Sequence, residues 1–194
     1  MKKKSFDIYL FIAVIIIGIF GIVMIYSASS IWANYKFHDE FKFVKSQSIF
    51  FLISIFLCLL VSKLPPSFWK KHANKFLFGT LILLILVLIP GIGTVRNGSR
   101  SWFGLGGFGI QPSEFSKLAL IIFVSKYLSN NKKELRDIKK GVMPILFIIG
   151  LFFLLILLEP DFGTGMVIVL TLVSLIFVSG VKISFFVKIG LLGL

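Results

Sequence analysis

Long apolar runs separated by short polar connections organise this chain, and each approaches the roughly 20 residues that a helix needs to cross about 30 Å of hydrocarbon. Complete spans are predicted at 8–26, 46–62, 76–89, 115–128, 142–158 and 162–181, and a truncated seventh opens at Ile183 and reaches Leu194 without a cap or polar tail. Backbone amides in lipid must be bonded internally, which leaves helices or closed barrels, and these runs lack the alternation of barrel strands. The expected fold is therefore an all-α polytopic membrane protein: six complete transmembrane helices plus a truncated seventh, with residues 1–194 forming a single transmembrane helical bundle. Lys2, Lys3 and Lys4 precede the first run and Ser27-Ala28-Ser29 follows it, as in a signal peptide. That run is longer than the roughly 7–15 apolar residues of a signal core, so it is read as a retained span.

Connections carry turn chemistry, with Lys63-Leu64-Pro65-Pro66 closing the second span and Pro90-Gly91-Ile92-Gly93 the third. One outer loop, residues 90–114, is long enough to have an interior of its own. Irregular backbone at membrane depth must face water or be buried in protein, so this loop is expected to cover a cavity. The runs flanking it are the shortest, about 14 residues or near 21 Å at 1.5 Å per residue. Short apolar segments point to a binding site in transport-like bundles; alternatively, Asn74-Lys75 and Ser129-Asn130 extend these helices into the inner headgroups.

Composition agrees with a membrane protein, at 57% hydrophobic residues, mean hydropathy +1.00 and 23 phenylalanines. The net charge of +13 raises a nucleic-acid partner, but its distribution argues for a membrane and against nucleic acid. With the N-terminus cytoplasmic, Lys63, Lys70, Lys71 and Lys75 fall in the first inner loop, and Lys132, Lys133, Arg136, Lys139 and Lys140 in the second. The outer side holds Lys36, Lys42, Lys45, Arg96 and Arg100, partly offset by Asp39, Glu40 and Glu114, which is the positive-inside pattern. The inner basic loops suit anionic headgroups. Cys58, the single cysteine, can form no internal disulfide.

Candidate chemistry concentrates in the outer loop. Arg96 and Arg100 offer forked donors suited to phosphate oxygens. Gly104 to Gly109 fits G-x-G-x-x-G, but neither a preceding strand nor a following acidic residue supports dinucleotide binding, so the glycines are read as a flexible or tight turn. Gln111-Pro112-Ser113-Glu114 reads as a helix start, with Glu114 at the positive end of the dipole and Lys117 three residues on, within pairing reach. That pair is either a stabilising salt bridge or part of a site for an anionic lipid headgroup, since charge at a membrane entry is costly unless it serves a purpose. Glu159-Pro160-Asp161 forms a tight outer turn, with Asp161 placed to cap the next helix; capping is favoured over paired acid and base catalysis, because residues two apart around a proline do not converge on one bond. His38 and His72 lie on opposite sides of the membrane, so no metal cluster is expected.

The segments Met24 to Ser29, Asn97 to Trp102, Gln111 to Lys117 and Glu159 to Gly165 together resemble the SEDS family (FtsW/RodA/SpoVE) of shape, elongation, division and sporulation proteins. The wording of Val95 to Gly104 and Trp32 to Phe37 is most similar to the stage V sporulation protein E and FtsW branch. The resemblance implies a peptidoglycan glycosyltransferase that polymerises lipid II outside the bacterial cytoplasmic membrane beside a class B penicillin-binding protein transpeptidase. It places Glu114 and Lys117 as a supporting pair beside the catalytic centre and suggests Arg96, Arg100, Trp102, Gln111 and Ser113 as substrate-binding residues. It also implies a domain of about ten membrane-crossing helices, of which this chain resembles the N-terminal half, with the catalytic aspartate beyond Leu194. No cofactor is expected within the chain itself, although a divalent cation, Mg or Mn, is compatible with the chemistry of the longer family domain. As this truncated chain it is expected to be inactive, and a lipid II flippase or transporter and a nonenzymatic truncated product are the other readings.

Overall fold

A computed structural model describes residues 7–96, 98–104, 109–183 and 185–186. The chain forms two compact units, Met1–Pro65 and Pro66–Leu194.

The first unit is a pair of helices, α1 (Ile8–Phe37) and α2 (Lys42–Ser62). Asp7 caps α1 by accepting the Leu10 N–H at 3.0 Å. The helix then runs eleven residues past the expected stop at Tyr26, to Phe37. Small residues do not break a helix, and the Ser29 hydroxyl donates to the Ile25 carbonyl at 2.6 Å instead of competing for a turn. The break comes at His38, in the left-handed region at φ 53°, whose N–H returns to the Asn34 carbonyl. In the following turn Asp39 accepts the Phe41 N–H and meets Lys45 at 2.9 Å, and the Lys45 hydrogen bond holds its carboxyl below the usual range. Gly18 meets the Phe51 ring where any Cβ would collide, so the two helices approach closely there. Ala33 is the one buried residue of α1, and α2 has none. Such uniformly apolar, uniformly exposed surfaces suit hydrocarbon as solvent.

The second unit contains α3 (Pro66–Leu88), β1 (Thr94–Arg96), β2 (Ser99–Trp102), α4 (Pro112–Asn130), α5 (Met143–Leu158) and α6 (Phe162–Val178). A 3-10 turn, Glu134–Arg136, and a π-helical turn, Ile138–Val142, lead into α5. Its core is a set of single-face stripes three and four residues apart: Leu120, Val124 and Leu128 on α4; Ile145, Ile149, Phe152 and Ile156 on α5; Ile168, Leu172 and Ile176 on α6. Gly165 lies against the Phe153 ring, where a Cβ would be crowded. Both short apolar runs prove to be parts of longer helices, 23 residues for α3 and 19 for α4, and their polar ends meet where Lys126 donates to Asn74 at 2.8 Å.

Among the described residues, four helical stretches are long and apolar enough to cross a membrane: Ile8–Phe37, Lys42–Ser62, Pro66–Leu88 and Ile138–Leu158. Glu114, Lys117 and Lys126 lower the hydropathy of α4, and α6 is apolar but only 17 residues long. The architecture is thus that of a helical membrane protein. Most of the expected seventh segment, residues 184 and 187–194, lies outside the described residues.

The loop between α3 and α4 differs from its expected irregular form. β1 and β2 pair antiparallel, with Arg96 opposite Ser99, Val95 opposite Arg100 and Thr94 opposite Trp102, and a bulge falls between Thr94 and Val95. The Thr94 hydroxyl donates to the Trp102 carbonyl at 3.0 Å, and Phe103 and Ile110 exchange backbone hydrogen bonds at 2.8 and 2.7 Å. Gly98, at φ 83°, supplies the left-handed backbone of the turn. Gly93 passes so close to the Val87 carbonyl that a Cβ would collide with it. Residues 105–108 of the glycine motif lie outside the described residues.

Candidate functional site at the β1–β2 hairpin and the start of helix α4

Three structures of the second unit meet: the β1–β2 hairpin, the N-terminus of α4 and the turn between α5 and α6. Gln111, in extended conformation, is the N-cap of α4, and Pro112 occupies its first turn, where the missing N–H costs nothing. The Gln111 side-chain amide donates to Asp161 at 2.7 Å, linking the start of α4 to the start of α6. Asp161 meanwhile caps α6 by accepting the Thr164 N–H at 3.1 Å. Both oxygens of Asp161 are thereby engaged, which is the behaviour of a cap and a brace and not of a general base.

Ser99 of β2 donates to the backbone carbonyl of Glu159, and the Ser99 and Ser101 hydroxyls lie 2.9 Å apart. The hairpin is therefore fastened to the α5–α6 turn. Glu159 itself is wholly buried, and neither carboxylate oxygen has a hydrogen-bond partner. Burial first, and then the neighbouring Asp161 charge, push its carboxyl up to about 8. Ser113 is also fully buried with an unpartnered hydroxyl, while the Ser116 hydroxyl donates to the Pro112 carbonyl at 3.0 Å. Pro160 is exposed at the tip of the turn.

Lys117 reaches both Glu114 oxygens, at 2.9 and 3.0 Å. Glu114 is 55% exposed and Lys117 28%, so the pair lies on an open flank of α4. Arg96 places its guanidinium 5.1 Å from the Trp102 ring centroid and against Gly109, where only a glycine leaves room. The Arg100 stem runs beside Gly93. The structure thus joins Gln111 with Asp161, Ser99 with Glu159, Glu114 with Lys117, and Arg96 with Trp102. It keeps Glu159 and Asp161 in separate roles. The burial of Glu159, the Ser99 tether and the Gln111 bond to Asp161 were not foreseen from the sequence. The Asn97-Gly98 pair was the available signal for the turn, although Ser99-Arg100-Ser101 beside it carries no apolar alternation.

Residues 7–194 match the model of the cell cycle protein family of FtsW, RodA and SpoVE. The chain belongs to this family. It is 45% identical over 193 residues to stage V sporulation protein E of Bacillus subtilis (strain 168), covering 100% of this chain and 53% of that protein. Identity to the probable peptidoglycan glycosyltransferase FtsW is 35% for Geobacter sp. (strain M18) and 38% for Saccharophagus degradans, over 100% and 99% of this chain and 53% and 49% of the relatives. Among solved structures, a peptidoglycan synthase complex that coordinates polymerization and crosslinking superposes with a TM-score of 0.82 at 25% identity, over 99% of this chain and 53% of that one. The rod shape determining protein RodA of Thermus thermophilus superposes with a TM-score of 0.66 at 25% identity, over 85% and 53%. The chain spans about half the length of the curated relatives it matches. As a family member with these apolar helices, it is a multi-pass protein of the bacterial cytoplasmic membrane.

Proposed function

We propose that this chain contributes six transmembrane helices of a single bundle, N-terminus cytoplasmic, to a peptidoglycan glycosyltransferase of cell-wall synthesis, and that its outer hairpin and α4 N-terminus hold the anionic part of lipid II. The observation that carries the reading is the likeness along the whole chain to proteins named peptidoglycan glycosyltransferase FtsW. The geometry of the hairpin supports it, because Arg96 and Arg100 sit on one short hairpin that is fastened beside a helix N-terminus.

In this reaction a base takes the proton of the acceptor sugar's 4-hydroxyl, whose oxygen attacks the donor's anomeric carbon while undecaprenyl pyrophosphate leaves. The base is assigned to a later outer loop of the family domain. Arg96 and Arg100 donate to pyrophosphate oxygens as negative charge develops there. Trp102 steadies Arg96 from behind, Gln111 braces the start of α4 against Asp161, and Glu114 with Lys117 sets the local charge, while Ser113, fully buried, stands behind the site instead of lining it. Among the described residues no three His, Cys, Asp or Glu side chains gather around one point. Glu114 and Asp161 are already engaged by Lys117 and Gln111. A divalent cation is compatible with the longer family domain, and from this part of it the guanidinium groups offer the positive charge. A class B penicillin-binding protein is the proposed partner, a reading supported by the fold shared with a peptidoglycan synthase complex.

The test uses a full-length family member carrying this chain as its N-terminal part, purified and supplied with lipid II. Glycan polymer is expected, and Arg100→Gln should reduce it at least tenfold. Movement of labelled lipid II across liposomes without polymer would instead establish a flippase and overturn the assignment.

A further inference from the structure

We propose that Glu159 is a proton-binding site, held as a neutral carboxylic acid, and that its proton keeps the β1–β2 hairpin and the start of α4 seated on the α5–α6 turn. Glu159 is the buried ionisable side chain of the described residues, with no surface exposed and both oxygens without a partner. An unpaired carboxylate in such a place would cost far more than the acid, so the group sheds its charge by keeping its proton.

The charged groups nearby do not offset a carboxylate. On its own turn, Asp161 is negative and raises the cost further. From the hairpin, Arg96 is directed to Trp102 and Gly109, and the Arg100 stem lies beside Gly93. From α4, Lys117 is taken by Glu114. The carboxyl is correspondingly pushed up to about 8.

What the proton controls follows from the tethers around it. Ser99 holds the backbone carbonyl of Glu159, and Gln111 holds Asp161 two residues later. Loss of the proton forces the side chain toward water. A carboxylate drawn toward water pulls on the backbone that both tethers hold, and the hairpin loosens. This latch does not depend on which reaction the family domain performs.

Trp102, on β2, reports hairpin seating. With Trp32 and Trp69 replaced by phenylalanine in the full chain, its emission in detergent is followed from about pH 6 to about pH 9.5. We expect a single-proton transition with a midpoint near 8, absent in Glu159→Gln, whose emission stays at the low-pH value throughout. A flat response in the Glu159 protein, or an unchanged transition in Glu159→Gln, would overturn the proposal. Should Glu159→Gln fail to fold, Asp161→Asn decides, because it keeps the cap oxygen, lets the Gln111 amide turn over to accept from the new NH2, and removes the like charge. Its midpoint must fall to lower pH, and an unmoved midpoint would also overturn the latch.

Discussion

Replacing Glu114 by glutamine separates the two roles open to the Glu114–Lys117 pair. The lysine lies 2.9 and 3.0 Å from the two carboxylate oxygens, three residues along one helix. With Glu114 55% and Lys117 28% exposed, solvent screens much of this attraction. A helical pair of this kind contributes about 0.2–0.5 kcal/mol. The acidic residue in the first turn of α4 adds about 0.3–1 kcal/mol through the helix dipole. Together these set a ceiling of about 1.5 kcal/mol, which for a chain of this size lowers Tm by roughly 3–6 °C. Lys117→Met removes only the pair and should shift Tm by no more than about 2 °C. If the pair shapes the field of a reacting pyrophosphate, polymerisation by the family domain should fall at least tenfold in either variant, more than the stability change accounts for. Thermal melts and lipid II turnover measured on the same preparations check this. Activity that declines only in proportion to folded protein would refute the functional role and leave a surface salt bridge.

Gln111→Ala leaves an Asp161 oxygen unpaired and should cost about 1–3 kcal/mol, visible as a lowered Tm with the helix content unchanged by circular dichroism. Gly93→Ala drives a Cβ into the Val87 carbonyl, so it should destabilise the hairpin more than Gly91→Ala destabilises its turn, read by protease sensitivity of residues 93–103. For Glu159, native carboxyl near 8 against 4.5 when unfolded means that the folded state alone binds the proton between those values. Stability is then full below the unfolded value, falls with rising pH by up to about 1.4 kcal/mol per unit, and levels off above the folded value; melts of Glu159→Gln across the same range should lack that slope. Maleimide added to intact cells should label Val95→Cys but not Lys70→Cys, in a Cys58→Ser background; the reverse would invert the proposed topology.

The helices were legible because lipid leaves few choices. An apolar run without alternation has to be helical, and Pro112 and Asp161 mark helix starts by their own chemistry. Helix ends were less legible, because polar residues such as those from Ser27 to Lys36 continue a helix as readily as they leave one. The hairpin was missed because strands of three and four residues inside a glycine-rich stretch carry little pattern. Glu159 is the clearest limit of local reading. It follows an apolar run at a proline turn, where exposure is the ordinary outcome, and the partner of its backbone carbonyl, Ser99, lies 60 residues earlier in the chain. The Gln111–Asp161 bond has the same origin, since partners about 50 residues apart leave no local signature.

The central claim, that the hairpin side of this chain meets the anionic part of lipid II, is tested most directly by photocrosslinking. A photoreactive residue at Trp102, in a family member carrying this chain, should capture radiolabelled lipid II, and unlabelled lipid II should compete it away. The same residue at Trp69, on the opposite end of α3, should not. Capture at Trp69 with none at Trp102 would contradict the account.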